Sequence, residues 1–293
     1  MLDLSRVTLL FVETRAHAIT KRVIDDCISK ANFGDILIYT DKPDLIPVAG
    51  ARYLAVPDFP NKKEAGQFYY SAAMAEVETD FALMLEWDAG IINPSNWRPE
   101  FLDYDYVGAP WNTSDDMKVG NGGFALMSKR LGQFLCDHRT EFPVYTDWDV
   151  CRTWRRQLER AGNFKWAPYG VAQDFSWELA PRSPNSFGWH GAFHWYATLA
   201  RDELVARATL LTETPYLLTK MHDIFRYDPV EWLEKEIGEE AWEKYRAVHA
   251  RPPFIPGYIL GRYMSAQQRA AMQLAQVQRR GLITYQQGRG LKA

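Results

Sequence analysis

The sequence predicts an α/β domain built on a mostly parallel sheet, followed by a helical C-terminal region. Three observations carry this expectation. The first ninety residues alternate between short apolar runs and stretches of helical spacing, as successive strand–helix–strand units do. The apolar runs are continuous rather than alternating, which is the pattern of strands covered on both faces by crossover helices. After residue 195 the texture changes to helical segments without strand signals.

Residues 7–12 form an unbroken apolar and β-branched run that reads as the first strand, ending at Glu13-Thr14-Arg15. Ile19, Val23, Ile24, Cys27 and Ile28 then recur at helical spacing, and Asn32-Phe33-Gly34 is expected to stop that helix before a second strand over 36–39, which closes at Asp41. A short strand over 52–56 leads to Asn61, which with Glu64 three residues on resembles a capping box for a helix reaching about Val77. Residues 81–85 read as a central parallel strand running straight into Glu86-Trp87-Asp88. From 89 to 195 the chain is rich in Gly, Pro and Trp, and nine of the eleven tryptophans lie between Trp87 and Trp195. Aromatic faces suit the CH faces of sugars, but large aromatics serve cores first, so packing is the expectation for most of them. A helix is expected over 150–160, ended by Ala161-Gly162-Asn163. Further helices are expected over 198–211, 216–226 and 229–248, with a polar one at 264–280 beyond a turn-rich boundary at 251–257.

Composition excludes several classes. With 47% hydrophobic and 24% charged residues, the chain has globular proportions, not those of a disordered or collagen-like one. Its apolar runs fall far short of the ~20 residues of a membrane helix, and the opening MLDLSRV lacks a signal sequence's basic and apolar parts, so no membrane span and a cytoplasmic location are expected. Three cysteines without a CxxC pair argue against a disulfide framework or a thiolate zinc site. The last fifty residues carry nine cations, from Lys244 to Lys292, and no acid; residues 1–243 are therefore at −12 against −3 for the chain. A tail so charged can meet phosphates, an acidic partner or the acidic body of its own protein.

Four segments carry residues suited to chemistry. Glu86 and Asp88 follow a buried strand, where parallel sheets bind ligands, and carboxylate oxygens suit Mg²⁺ or Mn²⁺ bridging a nucleotide's phosphates. Gly120-Asn121-Gly122-Gly123 leaves backbone N–H groups open to a ligand, or forms a tight turn. Asp147 and Asp149 precede a helix, where either one caps it or acts as a general base. His190, between glycines, is available to a metal or phosphate.

Together these segments resemble a family of glycosyltransferase-like bacterial and viral proteins. The resemblance runs over roughly residues 5–195 and rests on 104–111 (YDYVGAPW), 119–126 (VGNGGFAL), 166–168 (WAP), 175–178 (FSWE) and 187–191 (FGWHG), which occur in this order. It implies the A-type glycosyltransferase fold: a Rossmann-like, mostly parallel sheet, a nucleotide diphosphate sugar as donor, and a divalent metal, Mn²⁺ or Mg²⁺, held by a short acidic motif. By that resemblance Asp88 and His190 are the metal ligands, while Glu86 stands on the donor side of the motif. Gly120, Asn121, Gly122 and Gly123 line donor and acceptor, and Asp149, with Asp147 in reserve, is the base. Thr14, Arg15 and Asp41 stand where the fold places the nucleotide.

The expected activity is therefore hexosyltransferase-like: transfer of a sugar from a nucleotide diphosphate sugar to a hydroxyl acceptor, with anionic acceptors such as nucleic acid or glycan suggested by the tail. The expected division is a nucleotide-sugar-binding domain over 1–197 and a helical region with a basic tail over 198–293. Two other classes stay open: a nucleotidyltransferase making sugar nucleotides, and a non-catalytic glycan- or nucleic-acid-binding module. The nucleotidyltransferase needs a glycine-rich, basic phosphate loop directly after the first strand, and Glu13-Thr14-Arg15-Ala16-His17 is not one.

Overall fold

The computed structural model describes residues 1–213, 215–224 and 231–248. The chain divides into one unit over Met1–Val248 and a second over His249–Ala293. The polar helix expected at 264–280, the boundary at 251–257 and all but the start of the basic tail lie outside the described residues.

The chain opens with β1 (Leu2–Glu13), α1 (His17–Lys30), β2 (Ala31–Thr40), β3 (Arg52–Ala55), α2 (Lys62–Tyr70) and β4 (Phe81–Leu85). β5 (Ala89–Ile91), β6 (Tyr106–Gly108), β7 (Phe124–Ser128), α3 (Lys129–Asp137), α4 (Arg155–Gly162), α5 (Tyr169–Phe175), β8 (Ser176–Trp177) and β9 (Gly188–His190) follow. The described helices after these are α6 (Trp195–Thr198), α7 (Arg201–Leu210), α8 (Pro215–Leu218), α9 (Met221–Ile224), α10 (Glu231–Ile237) and α11 (Glu239–Val248). The main sheet has the order β3-β2-β1-β4-β7-β6, with only β7 running against the others. Its parallel part, β3-β2-β1-β4, has the strand order of a Rossmann half, so the α/β fold with a mostly parallel sheet is as expected. A small second sheet, β5-β9-β8, stands beyond the carboxyl end of β4.

Side-chain alternation on the strands feeds two cores. Leu9, Phe11, Leu83, Leu85, Phe124 and Leu126 pack with α1 and α5, whereas Leu10, Leu37, Ala82, Met84, Ala125 and Met127 pack with α2, α3 and α4. Each fully buried leucine, methionine or phenylalanine among them contributes about 1.5–3 kcal/mol. A third cluster joins Ile19 of α1 and Trp87, Trp189 and Trp195 to the helices after 198, through residues such as Leu204, Leu217, Met221 and Leu233.

After residue 198 the helix expected over 229–248 is broken at Gly238, whose φ is 85°, into α10 and α11, and the described part of that expected over 216–226 is split into α8 and α9. Three boundaries before residue 198 also differ from the sequence reading. The segment Asn32-Phe33-Gly34 lies inside β2 rather than ending α1, because residues 2–4 of β1 pair with 31–33 before the register shifts and 8–13 pair with 35–40. At that shift Ser5, Arg6 and Val7 face Gly34 alone, and a Cβ there would stand 2.0 Å from the Ser5 carbonyl oxygen. Helix α2 stops at Tyr70, not Val77; Ser71 leaves helical geometry and a 3₁₀ turn at Ala72–Glu76 carries Ala73 and Met74 into the core. The helix expected over 150–160 starts with a π-turn, Asp149–Thr153, before α4, and Asn163 ends it in the left-handed region at φ 50°, at the stop signal read from sequence.

Gly34→Ala is expected to destabilise the protein by about 1–3 kcal/mol, since the backbone it would strike cannot move without breaking the β1–β2 register. A thermal melt should show Tm lowered by about 2–10 °C.

Candidate active site

The strand order reverses direction between β1 and β4, and in open α/β sheets ligands bind beyond the carboxyl ends at that point. A cavity of about 510 Å³ lies there, lined by Val12 to Arg15 after β1 and by Glu86, Trp87 and Asp88 after β4, together with α2, Tyr145 to Asp147, His190 and Tyr216.

On the β1 side, the buried Glu13 turns back onto the start of α1. Its Oε1 accepts the N–H groups of Arg15 at 2.5 Å and Ala16 at 2.6 Å, and its Oε2 accepts the Thr20 hydroxyl at 3.0 Å. The protein's own carboxylate thus holds the turn that leads from β1 into α1, ahead of the helix's first residue, His17. Thr14 and Arg15 both line the cavity. The Thr14 hydroxyl donates to Asp58 at 3.2 Å, and the Arg15 guanidinium donates to the Phe59 carbonyl at 2.9 Å and lies 5.0 Å from the centre of the Tyr216 ring. Asp41 does not reach the cavity; it is held by His17 Nε2 at 2.7 Å.

On the β4 side, three groups converge. The Glu86 N–H donates to the Gly123 carbonyl at 3.0 Å, which fixes the first residue past the strand. Antiparallel pairing of Ala89 with His190 sets the imidazole beside Asp88, and parallel pairing of Trp177 with Trp189 brings Glu178 alongside it. His190 Nε2 is 3.5 Å from Asp88 Oδ1 and 3.8 Å from Glu86 Oε2, while Nδ1 is 3.3 Å from Glu178 Oε1. One ligand atom each from Glu86, Asp88 and His190 falls within a sphere of mutual distances of 4.8 Å. Asp88 Oδ1 is buried with no hydrogen-bond partner. An orphaned carboxylate oxygen beside a second carboxylate and an imidazole is a donor set that fits Mn²⁺ or Mg²⁺. Burial alone would lower the His190 pKa, but the charges of Asp88, Glu178 and Glu86 hold it well above its ordinary value. Burial would likewise raise the Asp88 carboxyl, yet His190 keeps it below the usual carboxylate range. The sequence had set Glu86 with the donor; the structure brings it into the same cluster.

The glycine stretch serves close packing. A Cβ on Gly123 would stand 2.1 Å from His190 Nε2, and one on Gly122 1.8 Å from the Tyr70 hydroxyl. Gly120 backs onto the Trp111 ring, and the buried Asn121 uses its Oδ1 to accept the Gly123 N–H at 3.0 Å. None of the four lines the cavity. Gly122 donates its N–H to Asp147 Oδ2 at 3.0 Å, and Asp147 does line it.

The two aspartates separate. Asp149 accepts the N–H groups of Tyr145 at 2.9 Å and Thr146 at 3.1 Å and the Thr153 hydroxyl at 3.1 Å, and it stays out of the cavity. Its carboxylate holds the loop that presents Asp147. Burial, with the charges of Glu178 and Glu86, pushes Asp147 up to about 6, against the N–H bonds from Gly122 and Trp148 that favour its ionised form. A carboxylate poised near neutral pH in a cavity is what proton abstraction needs.

Comparison with known proteins gives one family model, described as "Protein of unknown function (DUF5672)", which matches residues 56–190. No curated protein matches. Among solved structures, glucosyl-3-phosphoglycerate synthase from Mycobacterium tuberculosis, in complex with Mn²⁺, uridine diphosphate and phosphoglyceric acid, is 13% identical with a TM-score of 0.36, over 55% of this chain and 66% of that one. A mycobacterial protein is 13% identical with a TM-score of 0.30, over 42% and 53%. S. aureus TarS is 10% identical with a TM-score of 0.39, over 83% and 81%. The chain thus spans less than two thirds of the length of the two mycobacterial structures.

Sequence reasoning passed over Tyr69 and Glu178. Tyr69 is buried in the cavity wall with no partner for its hydroxyl. Burial, with Glu86 and Asp147 nearby, raises that hydroxyl well above its usual range and keeps it a proton donor. Nothing in the sequence marks it beyond the helical spacing that aligns Lys62, Ala65, Gly66 and Tyr69 on one face of α2. Glu178 belongs to the FSWE segment, but no local signal tied it to His190.

Asp147 offers a stability test. Its folded pKa lies above its ordinary 3.8, so the fold favours the protonated acid below pH 4 and loses that stability as pH rises through about 6. Asp147→Asn removes the charge. The variant should match wild type in chemical denaturation below pH 4 and exceed it by about 2–3 kcal/mol at pH 8.

Proposed function

We propose that the protein is a metal-dependent glycosyltransferase of the A-type fold, moving a sugar from a nucleotide diphosphate sugar to a hydroxyl acceptor. The observation that carries the reading is the group of Glu86, Asp88 and His190 at the switch between β1 and β4, in one cavity with Asp147. Asp88 and His190, with Glu86 beside them, would hold Mn²⁺ or Mg²⁺. When bound, such an ion supplies positive charge to a diphosphate leaving group.

The chain's own residues divide the remaining work. Asp147 Oδ takes the proton of the acceptor hydroxyl, and Gly122 N–H keeps that carboxylate oriented. Asp149, proposed from sequence as the base, acts instead by bracing Tyr145 and Thr146. Thr14 and Arg15 meet the nucleotide at the β1 side, and the packing around Gly120 to Gly123 lets Tyr70 and His190 approach the cavity floor. Asp41, tied to His17, has no part in donor contact. The helices after residue 198 share one unit with the donor-binding part, brace it and contribute Tyr216 and Lys220 to the wall.

The turn Glu13-Thr14-Arg15-Ala16-His17 favours this reading over a nucleotidyltransferase, because it is not a glycine-rich, basic phosphate loop and is held instead by Glu13 on the N–H groups of Arg15 and Ala16. Among the described residues no helix is long and apolar enough to cross a membrane. A cytoplasmic location and an anionic acceptor remain part of the proposal.

Nucleoside diphosphate release from a panel of nucleotide sugars with Mn²⁺ tests it. Asp88→Asn should abolish Mn²⁺-dependent nucleotide binding in calorimetry while the melting curve stays cooperative. Asp147→Asn should keep that binding and lower turnover by about 10²–10⁴. Wild-type turnover should fall as pH drops through about 6, where Asp147 gains its proton. Equal nucleotide affinity of wild type and Asp88→Asn would refute the assignment.

A further inference from the structure

We infer that Glu178 is the positioning residue for His190, holding its Nδ1–H so that Nε2 faces Asp88 and Glu86 as a ligand atom for a divalent cation. The inference rests on the metal reading above and adds a residue to it. His190 presents its two nitrogens to different partners: Nε2 to Asp88 Oδ1 at 3.5 Å and Glu86 Oε2 at 3.8 Å, Nδ1 to Glu178 Oε1 at 3.3 Å. A ring nitrogen that binds a metal has its partner nitrogen fixed by a hydrogen-bond acceptor, which sets tautomer and ring orientation together.

Glu178 is suited to that task by what it cannot do. It is only 8% exposed, and it does not line the cavity that His190 lines, so it reaches no substrate there. It also lies outside the group of ligand atoms formed by Glu86, Asp88 and His190. Its Oε2 and His190 Nδ1 are both buried with no hydrogen-bond partner. Nδ1 stands 3.3 Å from Oε1, so a small turn of the ring on loading closes the one bond that relieves the cost of burying both groups.

The carboxylate is also anchored from behind. The Glu178 carbonyl is 2.9 Å from His194 Nε2, and the His194 ring stacks on Trp177 at 3.6 Å between centroids. Burial pushes His194 down to about 3, so it is a neutral ring whose Nε2–H donates to that carbonyl. The β8–β9 pairing holds Trp177 against Trp189, and Gly123 leaves the space that the His190 ring fills. Backbone, stacking and packing thus fix both partners of the Glu178–His190 contact.

Binding of Mn²⁺ alone, read by electron paramagnetic resonance of the free ion, tests the inference in full-length protein. Glu178→Gln should weaken Mn²⁺ binding about 10–100-fold, and Glu178→Asp should restore part of the loss. In a His190→Ala background, Glu178→Gln should have no further effect, which a merely structural role would not produce. Nitrogen-15 NMR of the wild type loaded with Mg²⁺ gives an answer that needs no variant to fold: His190 should carry its proton on Nδ1. Unchanged Mn²⁺ affinity in Glu178→Gln, or a proton on Nε2 in the loaded wild type, overturns the inference and leaves the metal site standing. A wild type that binds no Mn²⁺ overturns both.

Discussion

Three carboxylates, Glu86, Asp88 and Glu178, surround one imidazole at the carboxyl end of β4, with Asp147 lining the same cavity as the imidazole, and the rest of the site is arranged around that imbalance. Like charges so close cannot all stay ionised in a partly buried place unless a cation stands among them. The protein's own answer is His190, whose pKa the surrounding acids raise, while Asp147 is lifted chiefly by burial, with Glu178 and Glu86 adding to it. In the proposed function a divalent ion would supply the positive charge that one imidazole does not. Negative charge assembled at a cost to folding is ordinary at functional sites and hard to explain as packing.

The fold makes this concentration affordable in geometric terms. A parallel β3-β2-β1-β4 array, buried on both faces, ends in a crevice where the β1 and β4 loops diverge, and the small β5-β9-β8 sheet delivers His190 and Glu178 to it from a hundred residues away in sequence. Glu13 makes the complementary choice on the β1 side. By accepting the N–H groups of Arg15 and Ala16 and the Thr20 hydroxyl it fixes the turn that leads Thr14 and Arg15 into the cavity.

Much of this was legible in the sequence. The strands at β1 and β4 were readable because continuous apolar runs mark sheets covered on both faces, and Asn61 with Glu64 opens α2 as read. Asp88 and His190 were legible because one follows a buried strand and the other sits between glycines. The choice between Asp147 and Asp149 was not, since both precede the same turn and only tertiary structure decides which is consumed by loop N–H groups. The glycines at 120–123 were correctly unusual for an unanticipated reason: neighbouring side chains, not a ligand, occupy the space a Cβ would take. Glu178 was invisible because its partner lies twelve residues on, in a strand pairing that local periodicity does not encode.

Anomalous diffraction from crystals grown with Mn²⁺ tests the central claim most directly. The account predicts an ordered peak within about 2.5 Å of both Asp88 Oδ1 and His190 Nε2. Saturating Mn²⁺ with no peak between those atoms, and the imidazole still paired with Asp88, would contradict it.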